Sequence, residues 1–117
     1  MTEAFAFATP IVPGKSEVLR QFTEEMEGPR RNELEESRRR LGMTAERAWI
    51  QETPQGDIVI VYWEVEDVQR ALEGMRESEE PFDKWFRQKV GEIHQVDLTQ
   101  APDRAPPEKI MDWEAGT

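Results

Sequence analysis

The sequence predicts an α+β domain with the element order βαββαβ, a four-stranded antiparallel sheet of strand order 4-1-3-2 carrying its helices on one face. Three observations predict it. First, Ala4 to Val12 and Asp57 to Trp63 are apolar on both alternating faces, although the 117-residue chain is only 37% hydrophobic and carries a formal charge of −10. Successive strand side chains point to opposite sides, so Ile58, Ile60 and Tyr62 form one face and Val59, Val61 and Trp63 the other. Second, two longer stretches repeat apolar residues at helical spacing. Third, Thr53-Pro54-Gln55-Gly56-Asp57 sets a cluster of turn formers between two strand-like runs, which reads as a hairpin.

The first strand alternates Phe5 and Phe7 with Ala4, Ala6 and Ala8, and the Pro13-Gly14-Lys15 break ends it. Ser16 is placed to cap a helix whose Val18, Leu19, Phe22 and Met26 share a face. Gly28-Pro29 interrupts that helix, because proline lacks an amide donor and its ring collides with the preceding turn. A straight continuation would leave Leu34 and Leu41 about a quarter turn off the stripe, so a re-phasing at the break is expected to return them to the core. Arg38-Arg39-Arg40 then sits at the negative pole of the helix dipole, and Gly42 closes the segment.

Ala45 to Thr53 mixes Ala48 and Ile50 with Arg47, Trp49 and Gln51, a polarity suited to an edge strand. Beyond the third strand, Asp67 can cap a helix built on Val68, Ala71, Leu72 and Met75; Ser78 to Pro81 stops it, and Phe82, Trp85, Phe86 and Val90 carry the restarted face. Gly91 is read as its end and Ile93 to Leu98 as a short last strand. Residues 1–98 thus form the domain, and 99–117, with Pro102, Pro106 and Pro107, an extended tail. Within the tail, Ile110-Met111-Asp112-Trp113 is expected to dock on a groove of its own or of a neighbouring subunit.

Right-handed crossovers make the first and third strands central and place both helices on one sheet face. The second apolar face would then stay wet in a single copy, at roughly 25 cal/mol per Å². A homodimer, sheet against sheet, is the expected remedy.

The acidic balance, twenty-five Asp and Glu against fifteen Lys and Arg, repels a phosphate backbone, so no nucleic acid is expected as a partner. The absence of cysteine removes disulfides, thiolate metal sites and cysteine nucleophiles, and fits a reducing compartment. Met1-Thr2-Glu3 opens without a basic segment and long apolar run, and no stretch reaches membrane-spanning length, so a cytoplasmic protein without a membrane partner is expected.

The element order, the Pro13-Gly14-Lys15 turn, the segment Glu80-Pro81-Phe82-Asp83-Lys84-Trp85-Phe86 and the following Val90-Gly91-Glu92-Ile93-His94 together resemble the ferredoxin-like dimeric α/β-barrel superfamily over residues 4 to 98. Within it the chain is most similar to an uncharacterised family of small bacterial proteins. The Gly28-Pro29 break and the proline-bearing tail depart from that pattern. The resemblance implies two sheets packed face to face; the superfamily includes cofactor-free monooxygenases, haem-degrading enzymes, lactone isomerases and proteins without known activity. Fold alone selects none of them.

Candidate site residues follow from chemistry. His94 is the only histidine, which excludes multi-histidine metal sites and leaves proton transfer or haem ligation, against the plain reading of a satisfied histidine at the sheet's end. Tyr62 and Trp63 emerge on opposite faces, so at most one can line a pocket beneath the helices. The small row Ala4, Ala6 and Ala8 can leave a hollow there or admit a close helix. Such a pocket, suited to a small apolar molecule, is expected to be ringed by Phe22, Trp49, Tyr62, Trp85, Phe86 and His94, with no cofactor and no metal.

The acid pairs Glu24-Glu25, Glu35-Glu36 and Glu79-Glu80 diverge by about 100° on a helix and cannot converge on one substrate atom. Asp83 and Arg47 gain interest only if they turn inward. The leading expectation is a homodimeric barrel offering a small apolar pocket, its role unassigned. Its rivals are a cofactor-independent monooxygenase or isomerase of an aromatic or polyketide-like compound, with His94 or Tyr62 moving protons, and a non-catalytic interaction module.

Overall fold

The paired strands and helices fall as the apolar patterns dictate, with one exception at the end of the chain. The structure is a computed structural model that describes residues 2–100 and 105–116. Met1, Thr117 and Pro102 of the expected tail lie outside the described residues. The elements are β1 (Glu3–Pro10), α1 (Ser16–Glu27), α2 (Arg31–Arg40), β2 (Met43–Thr53), β3 (Gly56–Val65), α3 (Val68–Glu77) and α4 (Pro81–His94).

Among the described residues the sheet has three antiparallel strands in the order β1-β3-β2. β3 is central because it holds the most apolar residues on both faces, pairing Phe7 with its Val61 on one side and Ala48 with the same Val61 on the other. A two-residue loop, Pro54-Gln55, joins β2 to β3, and Gly56 supplies the positive φ of +123° that the tight reversal needs. The Thr53 hydroxyl donates to the Gly56 carbonyl at 2.6 Å.

Both expected helix breaks are present. Gly28 begins the first, where a β-carbon would lie 3.0 Å from the Glu24 carbonyl. Past the break Leu34 packs against the core and Leu41 is buried, as re-phasing requires. Ser16 differs from its expected role. It is the first helical residue, with Lys15 at the cap position, and its hydroxyl donates to Asp57 at 2.6 Å. Asp67 does cap α3, accepting from the Arg70 amide at 3.0 Å, and Pro81 opens α4 at the position where a missing amide costs nothing.

The expected last strand, Ile93 to Leu98, does not form. α4 runs on through His94 and ends at Gln95 in the left-handed conformation, φ 55°. Ile93 extends the Phe82, Phe86, Val90 stripe by three residues and is fully buried, so burial on the helical phase outweighs the alternation of His94, Val96 and Leu98. Gly91 is therefore an interior helical residue. The order 4-1-3-2 is corrected accordingly: β1 is an edge strand, not a central one.

The helices cover one sheet face with two clusters. Ile11, Leu19, Phe22, Met26, Val59, Phe82 and Ile93 pack beneath α1 and α4, while Leu41, Met43, Trp63, Val65, Ala71 and Met75 pack beneath α3, where Phe5, Phe7 and Leu98 join them. Ala4, Ala6 and Ala8, expected beneath the helices, lie exposed on the other face. The parity of β1 explains it. Phe5 and Phe7 take the helix side, stacking on Trp63 at centroid distances of 5.4 and 5.7 Å, and the alanines must point away.

Candidate functional site

The six expected pocket residues separate onto the two sides of the sheet. Phe22, Trp85 and Phe86 do come together on the helix side. Their rings touch one another, Phe22 lying 5.1 Å from Trp85 and 5.5 Å from Phe86, and Phe82 closes the group 5.5 Å from Trp85. Phe22 and Phe82 are both about 4% exposed, so these rings fill core volume as edge-to-face and tilted pairs do. The Arg30 guanidinium lies 4.1 Å over Trp85 and covers it from outside.

His94 stands apart from that group, at the last turn of α4. Its Nδ1 lies 2.8 Å from the Pro10 carbonyl, a bond that requires the proton on Nδ1. Burial pushes its pKa below the ordinary histidine value, opposed in part by the bond to Pro10. Nearby, Val12 donates its amide to the Ile93 carbonyl at 2.9 Å. The histidine thus fastens the end of α4 to the end of β1.

Trp49 and Tyr62 lie on the helix-free face. The register sets Trp49 opposite Ile60 and Arg47 opposite Tyr62, and the same parity adds Ile58 and the β1 alanines. Trp49 is 52% exposed, and none of these residues belongs to either hydrophobic cluster. The face is an apolar floor of Ala4, Ala6, Ala8, Ile58, Ile60 and Trp49, with Gln51 beside Ile58 at one end and a polar corner at the other. There the Tyr62 hydroxyl donates to Glu64 at 3.2 Å, and Arg47 pairs with the same carboxylate at 3.7 Å. Desolvation first, then the Glu64 charge and hydrogen bond, raise the Tyr62 pKa, so the phenol keeps its proton at neutral pH.

A cleft of about 450 Å³ opens at this corner between Thr2–Ala4, Tyr62, Glu64 and Val68 on one side and Lys109, Asp112 and Glu114 on the other. A second, of about 340 Å³, lies at the end of α4 by Arg87, Gly91, Gln95, Val96 and Asp97. Arg87 is committed to structure there, donating to the carbonyls of Met75 and Ser78 at 2.8 Å each.

Residues 105–116 form no helix or strand and lie exposed beside the first cleft. Ile110, Met111 and Trp113 are 89, 79 and 74% exposed, so the apolar spot docks on no groove of its own chain.

The residues that the sequence pattern only hinted at are those of a buried polar network. Asp83, 4% exposed, accepts from the Ser37 hydroxyl and the Ser78 hydroxyl, both at 2.5 Å, and from Arg40 at 3.0 Å. Ser37 in turn accepts from Arg38, which grips Glu46 at 2.8 and 3.4 Å and lies 4.5 Å over the Phe86 ring. Glu46 also accepts from the Trp63 indole at 3.2 Å. Desolvation alone would raise the Asp83 pKa, but hydrogen bonds from Ser37, Ser78 and Arg40, with the Arg40 charge, outweigh it and hold the carboxyl below the ordinary value. Asp83 therefore turns inward, as an anchor between α2, α4 and the loop before α4. The arginine run serves less to complement the helix dipole than to tie α2 to β2 and α4. A helical Ser37-Arg38 pair against a same-side acid on a neighbouring strand was the available signal.

Among the described residues no group of three His, Asp or Glu side chains is arranged to hold a metal ion, and no helix is long and apolar enough to cross a membrane. No protein-family model, curated protein or solved structure matches the chain.

Proposed function

We propose that the protein works as a homodimer, two copies laid sheet to sheet in the manner of a ferredoxin-like dimeric α/β barrel, and that the space between the paired sheets receives a small apolar molecule. The observation that carries this reading is the helix-free face. It combines three alanines, two isoleucines and a half-exposed tryptophan on one side of a sheet whose other side is already filled. A soluble chain of charge −10 that leaves such a floor wet forfeits roughly 25 cal/mol per Å², and a second identical floor is complementary by symmetry.

The ligand space follows from side-chain size. Facing sheets stand about 10 Å apart, a gap that Trp49 and the isoleucines fill and the alanine row does not. Tyr62, with its proton held by Glu64, offers one directed hydrogen bond at the rim of that gap. In this reading the binding space lies between subunits and not beneath the helices, where Phe22, Trp85 and Phe86 occupy the volume.

Sedimentation of the wild type and of Ile60→Glu tests the pairing, and native mass spectrometry of the same wild-type sample tests the ligand. The expected results are a dimer that the substitution splits, and a small molecule retained by the dimer and lost from the separated subunits. Equal sedimentation of folded wild type and variant would overturn the proposal.

A further inference from the structure

We infer that residues 108–114 of each chain pair as a fourth strand with the outer edge of β1 of a second copy, clasping the dimer. The inference rests on the sheet-to-sheet pairing proposed above and names the segment that completes it.

The receiving edge is read from the hydrogen-bond phase of β1. Ile11 donates its amide to the Asp57 carbonyl at 2.9 Å, so in this register the odd residues of β1 bond to β3 and the even ones point off the sheet. Pro10 is the first of these, and its carbonyl is taken by His94. Ala4, Ala6 and Ala8 are the rest, and among the described residues nothing meets their amides or carbonyls. No charged side chain lies between Glu3 and Lys15 to guard this edge against pairing. An edge whose outward-bonding residues Ala4, Ala6 and Ala8 are left in this state is a template for another strand.

The incoming strand is argued from the exposed segment. It has no helix or strand of its own, no backbone hydrogen bond is formed within it, and it holds the three most exposed large apolar side chains among the described residues, Ile110, Met111 and Trp113. Lys109, Asp112 and Glu114 lie against their own chain, at the Tyr62 and Glu64 corner of the helix-free face. The segment has therefore already rounded the sheet to the side on which the second copy sits. Its apolar side chains are left exposed by their own subunit, so the edge that would cover them belongs to the chain that covers the face. Reach is not limiting: ten residues lie between Leu98, packed against the core, and Lys109, and the eleven chain steps between the two can span about 36 Å, against a sheet separation of about 10 Å. Two-fold symmetry then closes the arrangement, each chain giving one strand and receiving one.

The absence of cysteine makes the test direct. Ala6→Cys is combined in turn with Met111→Cys, Asp112→Cys and Trp113→Cys in the full chain, oxidised with glutathione disulfide, and run on a non-reducing denaturing gel. At least one pair is expected to give a covalent dimer, which Ala6→Cys alone does not. A disulfide formed within one chain, or none in any pair, overturns the inference. In parallel, hydrogen exchange at the Ala4, Ala6 and Ala8 amides is expected to be slowed at least tenfold in the wild type relative to Ile110→Glu/Trp113→Glu; equal rates overturn it. The two readings fail separately. A dimer split by Ile60→Glu but without crosslinks retains the sheet pairing and loses the clasp, whereas a monomeric wild type loses both.

Discussion

Replacing Asp83 with alanine should destabilise the domain markedly. The carboxylate accepts three hydrogen bonds, and their donors differ in what they can do once it is gone. Ser37 is fully buried, so its hydroxyl loses a charge-assisted bond with no water to replace it, a loss of about 1.5 to 3 kcal/mol. Ser78 is only partly buried and Arg40 is 37% exposed, so both rehydrate; together they add about 1 kcal/mol, the ion pair being screened by solvent. The sum is about 2.5 to 4 kcal/mol, a large share of the 5 to 15 kcal/mol typical of a domain. Urea denaturation at pH 7 measures it as a fall in midpoint at unchanged slope. The dependence on pH is the sharper part. The folded pKa is depressed, so the stability supplied by Asp83 is present above the ordinary carboxylate value of about 3.9 and is lost as pH falls through the lower folded value. The gap between wild type and Asp83→Asn should therefore narrow below pH 4. A loss under about 1 kcal/mol for Asp83→Ala, or a gap that is constant down to the lowest pH at which the fold survives, would refute the anchoring role.

Further outcomes follow from single observations. Because burial holds the folded His94 pKa below the unfolded one, the unfolded chain binds the extra proton; stability should fall as pH drops through about 6.5, and His94→Gln should flatten urea midpoints between pH 5 and 7.5. Gly42 takes φ +73° between α2 and β2, so Gly42→Ala should cost about 1 to 2 kcal/mol by thermal denaturation, with an unchanged far-ultraviolet spectrum. Gly91 is different: it lies inside α4, and an added β-carbon meets only the Val96 carbonyl at 3.6 Å, so Gly91→Ala should stabilise by about 0.5 to 1 kcal/mol. A destabilisation there would contradict the helical reading of the chain's last element.

The residue pattern disclosed those parts of the fold whose periodicity is unopposed. Val18, Leu19, Phe22 and Met26 repeat at 3.6 residues with no competing alternation, and all four pack on the core. Ile93 to Leu98 is where two periods compete: alternation of His94, Val96 and Leu98 favours a strand, but Ile93 completes the Phe86 and Val90 stripe, and full burial of one large side chain decides for helix. The alanine row shows a different limit. Alternation says that Ala4 and Phe5 face opposite ways but not which way the helices lie, and the T-shaped packing of Phe7 on Trp63 settles that only in three dimensions. For the site, Tyr62 and Trp63 were separable by parity alone. Asp83 was not, because its two serine donors come from segments forty-six and five residues away and have no common period with it.

The account stands on the helix-free face being covered by a second copy, and sedimentation of the unmodified chain across micromolar concentrations tests that most directly. It predicts two chains per particle, shifting to one when Ile60→Glu places a charge on the floor beside Trp49. One chain per particle in the wild type throughout that range would contradict it.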